Sequence, residues 1–239
     1  MAPSKKASEM SVAELAAYID QSVLKPEFTE ADIRKYIQEG IDYGCATVCV
    51  NPSSLPIAEE LCKGTKTGVC VVCDFPFGLS TTASKAAQAE AYCSRYEIAE
   101  LDIVSNYGWL RSGRLEAFTD DIRAVVNVCH AYGTAVKVIL ETDALDLAQV
   151  AEGTRRAVRA GADFIKSSTG FFTGKACVGA TVEVVRAMME AGEGKIKVKG
   201  SGCIRTREHF LSLVDMGIDR MGIGYRSTPV VLGLAGKGA

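Results

Sequence analysis

The chain has 239 residues, with 27 lysines and arginines against 29 aspartates and glutamates, a net charge of −2 and a pI of about 5.8. That balance argues against a nucleic-acid binder, which carries a basic excess or stripe. Hydrophobic residues at 48% and charged ones at 23% exclude a disordered chain and supply a core that needs no disulfide staples.

Residues 1–10, MAPSKKASEM, form a polar head without an apolar h-region, so no signal peptide is predicted. One domain is predicted over 11–239. Ser11 and Glu14 have capping-box spacing for a first helix, and Thr29 and Asp32 start a second in a similar way. A strand is predicted over 18–24. Further β-rich runs follow at 46–51, 69–74, 100–105, 135–141, 162–167, 195–199 and 219–224. Segments with helical periodicity lie between them, at 83–98, 115–132, 145–160, 181–192 and 206–216. Alternating strands and helices call for a parallel sheet with crossover helices. Eight such units in this length fit an α/β fold, the single-domain TIM (β/α)8 barrel. An open doubly wound sheet fits less well, because no GxGxxG follows the first strand.

No stretch approaches the ~20 apolar residues needed to cross a bilayer, so no membrane contact is expected. Nine cysteines, odd in number and scattered, point to reduced thiols in a cytoplasmic setting.

Five charged residues lie in or at the ends of apolar runs on five different strands: Asp20, Asp102, Lys137, Lys166 and Lys199. A buried charge needs a partner, and strand C-terminal ends form the active face of a barrel. A structural ion pair would explain one of them; five together point to a site. Lys166 stands in GADFIKSSTGFFTG (161–174), and Lys199 ends the next strand. Adjacent strands lie ~4.8 Å apart, so inward lysines at matching heights become neighbours. One ammonium disfavours charge on the other, and a neutral lysine is a nucleophile able to form a Schiff base.

These residues carry a resemblance. IDQSVLKPEFTEADI (19–33), ATVCVNPSSLPIA (46–58), DFPFGLSTTASK (74–85), ELDIVSNYG (100–108), VKVILET (136–142), GADFIKSSTGFFTG (161–174) and KVKGSGCIRT (197–206) resemble the deoxyribose-phosphate aldolase family, class I aldolases with a TIM-barrel fold. The resemblance implies that Lys166 is the Schiff-base lysine, that Lys199 tunes it, and that Asp102 serves the proton relay with Lys137 beside it. It implies reversible cleavage of 2-deoxy-D-ribose 5-phosphate to acetaldehyde and D-glyceraldehyde 3-phosphate, with no metal or organic cofactor. The partners it implies are those small molecules and further copies of the chain, as a homodimer or higher homo-oligomer. The substrate-binding set it implies is Asp20, Ser22, Cys49, Lys137, Thr169, Gly170, Gly202, Arg205, Gly222, Gly224 and Arg226.

The chain departs from the family pattern where phosphate should bind. Gly202-Cys203 stands where the family has Gly-Gly, and Gly222-Ile223-Gly224-Tyr225 replaces a Gly-x-Ser-Ser turn. Gln21 and Ser22 stand for His and Thr. Arg205 and Arg226 are expected to compensate for the missing serine hydroxyls, since Arg pairs bidentately with phosphate. These departures keep two other readings open: the same chemistry on a different aldehyde pair or sugar phosphate, and a catalytically silent sugar-phosphate-binding barrel. Cys70 and Cys73 have C-x-x-C spacing but lie inside a predicted strand, so a structural role is expected. His130 and His209, both in helical segments, are expected on the surface or in packing. Tyr107 and Trp109 follow the fourth strand, where they either line the pocket mouth or pack a loop.

Overall fold

The computed structural model describes residues 3–235; residues 1–2 of the predicted head and 236–239 of the predicted domain lie outside them. Eight parallel strands close into a barrel: β1 (Ile19–Val23), β2 (Thr47–Val50), β3 (Gly68–Cys73), β4 (Glu100–Val104), β5 (Ala135–Ile139), β6 (Phe164–Lys166), β7 (Lys197–Ser201) and β8 (Arg220–Gly224). Each strand pairs with its sequence neighbour, and β8 pairs with β1. This is the TIM-barrel fold.

Helices α1 (Val12–Ala16) and α2 (Glu30–Tyr43) open with the two capping boxes, Ser11 with Glu14 and Thr29 with Asp32. The outer ring continues with α3 (Leu55–Cys62), α4 (Thr82–Cys93), α5 (Tyr107–Arg111), α6 (Leu115–Ala131), α7 (Leu147–Ala160), α8 (Val182–Gly192), α9 (Arg207–Asp215) and α10 (Thr228–Val231). Five of the periodic segments become α4 and α6 to α9. Helix α3 escapes a periodicity reading because it is only eight residues long and starts beside Pro52 and Pro56. The head is not wholly solvated: Ala7 is buried, and its N–H donates to Asp215 Oδ1 on α9 at 2.7 Å.

Strand side chains alternate between two environments. Val48, Val71, Ile103, Val138, Ile165 and Val198 point outward into one apolar core shared with the helices. The inward set is different. A small apolar cluster of Leu24, Cys49, Cys70 and Val72, with Phe75 and Phe171 against it, fills one side. Charged side chains fill the other, where a barrel ordinarily holds branched apolar residues.

Candidate active site

Parity on the strands decides which residues meet. Asp102 is the third residue of β4, with Lys137 as its register partner on β5; Lys166 and Lys199 are partners across β6 and β7. All four side chains are buried and face inward. Asp102 Oδ2 accepts from Lys166 Nζ at 2.7 Å and from Lys199 Nζ at 2.8 Å, while Oδ1 accepts from Lys137 Nζ at 2.9 Å. Below them, Asp20 Oδ2 lies 2.5 Å from Lys199 Nζ and 3.5 Å from Lys137 Nζ. Arg220 binds Asp20 at 2.5 Å and Glu100 at 3.1 Å, and Glu100 lies 2.5 Å from Lys137. Four cations thus meet three carboxylates.

Burial pushes the Asp102 carboxyl up, but Lys137, Lys166 and Lys199 outweigh it and hold the group well below the ordinary carboxylate range. Asp20 is depressed in the same way by Lys199, Lys137 and Arg220. Conversely, burial pushes Lys137 and Lys199 down, and the carboxylates around them more than reverse it, so both remain ammonium groups. Lys166 differs in its surroundings. Its ammonium contacts one carboxylate, Asp102, whereas Lys199 contacts two and Lys137 three. It is also the last residue of β6, nearest the C-terminal mouth.

Cys49 and Cys70 are register partners beside this network. Cys70 Sγ lies 3.2 Å from Asp102 Oδ1, and Cys49 Sγ 4.0 Å from Oδ2. The Cys70 thiol holds that of Cys49 below its usual range, while burial pushes Cys70 up. The two sulfurs and the carboxylate converge within 4.8 Å, a spacing that suits a metal ion. The ammonium groups already on Asp102 would repel a cation there, so the residues do not fit one.

The remaining expected site residues scatter more. Ser22 faces inward on β1 as the register partner of Gly224 on β8, with its Oγ 3.9 Å from where a Cβ on Gly222 would stand. A Cβ at Gly222 would approach Ser201 Cβ to 3.0 Å and Lys199 Cε to 3.4 Å, so this glycine gives the Lys199 stem its room. Thr169 is buried and donates through its hydroxyl to Glu141 Oε2; Gly170 and Arg205 are exposed on the loops after β6 and β7. Gly202 follows β7 and accepts from Ala180 N at 3.1 Å.

Several expectations need correction. Asp20 is the second residue of β1 and fully buried, so it braces Lys199 from below instead of standing at a strand end. Gly222, Ile223 and Gly224 complete β8 and form no turn. Tyr225 lies on the helix side: its ring packs 4.0 Å from that of Tyr36 on α2 and 5.1 Å from Phe28, with the Arg226 guanidinium 5.3 Å from its centre. Gln21 points outward and donates to Tyr36 O at 2.6 Å. Cys70 and Cys73 fall on opposite faces of β3, as an odd spacing on a strand requires.

His130 pairs with Asp163 at 2.8 Å, and His209 bonds Ala180 O at 2.9 Å. Trp109 packs against the outer core. Glu100, Arg220 and Glu141 belong to the site without a sequence motif that marks them, and Cys70, expected to be structural, lies against Asp102. The signal for two of them was available: Glu100 precedes Asp102 by two residues, and Arg220 precedes Gly222 by two, which places each on the same inward face.

Beside the lysine chamber lies a cavity of about 420 Å³, whose wall includes Leu24, Lys25, Asn51, Ser53, Phe75 and Phe171. Leu24, Phe75 and Phe171 also belong to the apolar cluster over Cys49 and Cys70, so the cavity abuts the network. Its volume is that of a small-molecule site.

A closed eight-stranded barrel with three buried lysines around one carboxylate defines an enzyme of the lysine-bearing TIM-barrel class. The family model of the DeoC/LacD family aldolases matches residues 15–234, and the chain belongs to that family. It is 41% identical over 216 residues to a deoxyribose-phosphate aldolase of Desulfitobacterium hafniense, covering 89% of this chain and 95% of that protein. A deoxyribose-phosphate aldolase of Rhodospirillum rubrum is 41% identical over 221 residues, with 92% and 90% covered. The solved deoxyribose phosphate aldolase of Aeropyrum pernix, described as a unique tetramer, superposes with a TM-score of 0.83 at 29% identity, over 93% of this chain and 91% of that one. Among the described residues no helix is long and apolar enough to cross a membrane.

Proposed function

We propose that this aldolase reversibly cleaves 2-deoxy-D-ribose 5-phosphate to acetaldehyde and D-glyceraldehyde 3-phosphate through a Schiff base on Lys166. The names of the relatives support the substrate. The observation that carries the choice of lysine is the count of carboxylates around each amine. Lys166 contacts one carboxylate, while Lys199 contacts two and Lys137 three, and the carboxylates around those two hold them as cations.

In this reading neutral Lys166 Nζ adds to the C1 aldehyde of the open-chain sugar and, with loss of water, gives a protonated imine. The C3 hydroxyl surrenders its proton, the C2–C3 bond breaks, and its electron pair flows into the imine. D-Glyceraldehyde 3-phosphate leaves, and an enamine of acetaldehyde remains on Lys166. Protonation at C2 and addition of water release acetaldehyde and restore the amine. Asp102 bonds both amines and is the acceptor through which protons pass, directly or by one water. Lys199 remains a cation beside the nucleophile and disfavours a second charge there.

The alternative, a different aldehyde pair, rests on the altered end of β8. Tyr225 packs outward and leaves that opening unfilled, which favours the phosphorylated sugar. The enzyme works as a cytoplasmic homo-oligomer and needs no metal, so chelation should leave turnover unchanged.

The test is reduction with borohydride in the presence of acetaldehyde. A two-carbon adduct on the peptide bearing Lys166 is expected, and an adduct on Lys199 or Lys137 overturns the assignment. A retro-aldol panel of phosphorylated and unphosphorylated sugars tests the substrate.

A further inference from the structure

Two cysteines outside the lysine chamber are only half-buried, Cys177 and Cys203, whereas the other seven are buried. They lie on different loops. Cys177 belongs to the segment between β6 and α8, and Cys203 to the turn between β7 and α9. The two loops are stitched together at this point. Ala180 N donates to Gly202 O at 3.1 Å. A Cβ on Gly179, at φ +70, would fall 2.2 Å from that same oxygen, so only glycine permits the approach. Cys203 Sγ donates to Cys177 O at 3.0 Å, and Cys177 Sγ stands 3.6 Å from where a Cβ on Gly202 would lie. The thiols face each other closely enough for Cys203 to help push the Cys177 thiol up, after burial and together with Asp143.

Two further features set the pair apart. Cys203 has φ +57, a left-handed conformation that is strained for a residue bearing a side chain. Cys177 Sγ also donates to Asp143 Oδ2 at 3.3 Å, and Asp143 holds the N–H groups of Val178 and Gly179 as well. A proton acceptor is therefore already seated on one of the two sulfurs.

We propose that Cys177 and Cys203 form a dithiol modification site that reacts with small organic disulfides to give an intramolecular disulfide, pinning the β6–α8 loop to the β7–α9 turn. The Cys203 thiolate attacks one sulfur of the small disulfide, expels the first thiolate, and forms a mixed disulfide. Cys177 then yields its proton toward Asp143 and attacks the Cys203 sulfur, and the second small thiolate leaves. Two protein thiols are oxidised and one small disulfide is reduced to two thiols, which take up the two protons. The loop so fixed carries Thr169 to Phe171, three to five residues after Lys166.

Incubating the full chain with oxidised glutathione, alkylating free thiols and mapping peptides without reduction tests this. A cross-linked peptide containing Cys177 and Cys203, lighter by two hydrogens, is expected, together with a higher melting temperature reversed by reductant. Cys203→Gly, which relieves the left-handed backbone, and Cys177→Ser should each abolish both effects while folding normally by circular dichroism. A glutathione adduct that stays on Cys203 with Cys177 alkylated, or cross-links confined to other cysteines, overturns the proposal. So does full alkylation of both thiols after oxidation.

Discussion

Lys166 and Lys199 are register partners on adjacent strands, and their ammonium nitrogens converge on a single oxygen, Asp102 Oδ2, at 2.7 and 2.8 Å. Sharing one oxygen divides its stabilisation between two cations. Lys199 has a second carboxylate, Asp20, at 2.5 Å, so it wins the competition for charge. Lys166 is left with a share of one carboxylate oxygen and no second anion.

That competition predicts the effect of Lys199→Leu. Without Lys199, all of Asp102 Oδ2 serves Lys166 and stabilises its protonated form. The alkaline midpoint of imine formation should move to higher pH, and activity near neutrality should fall about tenfold for each unit moved, each unit being ~1.4 kcal/mol. Borohydride trapping across pH 6–11 measures the shift. An unmoved midpoint would show that burial, not the neighbouring cation, sets the nucleophile.

Asp102→Asn is expected to damage both chemistry and fold. The proton relay is lost, so turnover should drop ~10²–10⁴-fold. Three ammonium groups also lose their common anion, and breaking a buried ion pair costs about 3–5 kcal/mol. The sign of the pH dependence follows from the depressed carboxyl. Its contribution to stability is complete above the ordinary unfolded value of ~3.9 and is lost as pH falls through the lower folded value. Wild type should therefore lose melting temperature in acid more steeply than Asp102→Asn, which begins lower at pH 7. Parallel curves from pH 7 to 3 would contradict this.

Most of the barrel was legible because each strand is a short β-rich run flanked by helical periodicity, and each of the eight strands falls within a few residues of its predicted span, whereas the short helices α3, α5 and α10 had no predicted span. The lysine pair was legible because Lys166 and Lys199 interrupt apolar runs. The rest of the network was not, for a physical reason. Glu100 and Arg220 stand at strand starts, where a charge normally faces solvent, and only barrel closure folds them under Lys137 and Asp20. The seat of Tyr225 was not legible either, because Phe28 and Tyr36 come beside it only when β8 closes on β1.

Glu141 should act as a positioning residue. It sits at φ +57, is buried, and receives both the N–H and the hydroxyl of Thr169, whose Oγ1 accepts from Phe171 N at 2.9 Å. Burial raises its carboxyl and the Thr169 bonds oppose that. Glu141→Gln presents an NH2 group to one of those donors, losing a charge-assisted bond of about 1.5–3 kcal/mol. The loop over Lys166 is then held less firmly, so KM should rise about tenfold or more while kcat changes less than threefold. Thr169→Val should reproduce that split; a fall in melting temperature with KM unchanged would make the role purely structural.

The phosphate end should depend on Arg205 more than on Arg226. Both were expected to replace the missing serine hydroxyls, but the structure gives them different surroundings. Arg226 spends its guanidinium on the Tyr225 ring, on the α2 side of the barrel. Arg205 is exposed, makes no ion pair among the described residues, and precedes Thr206, the N-cap of α9. The Thr206 hydroxyl is taken by His209 N, whereas the first N–H groups of the helix remain directed at the loop. A phosphate there would meet a guanidinium and a helix N-terminus together. Arg205→Ala should raise KM for the phosphorylated sugar at least tenfold and leave that for unphosphorylated 2-deoxyribose unchanged. Arg226→Ala should change either value by less than threefold. Equal effects of the two substitutions would mean that Arg226 leaves Tyr225 when substrate binds. If neither matters, and wild type shows no preference for the phosphorylated sugar, the anion site is not on this face, and the reading with a different aldehyde pair gains the ground.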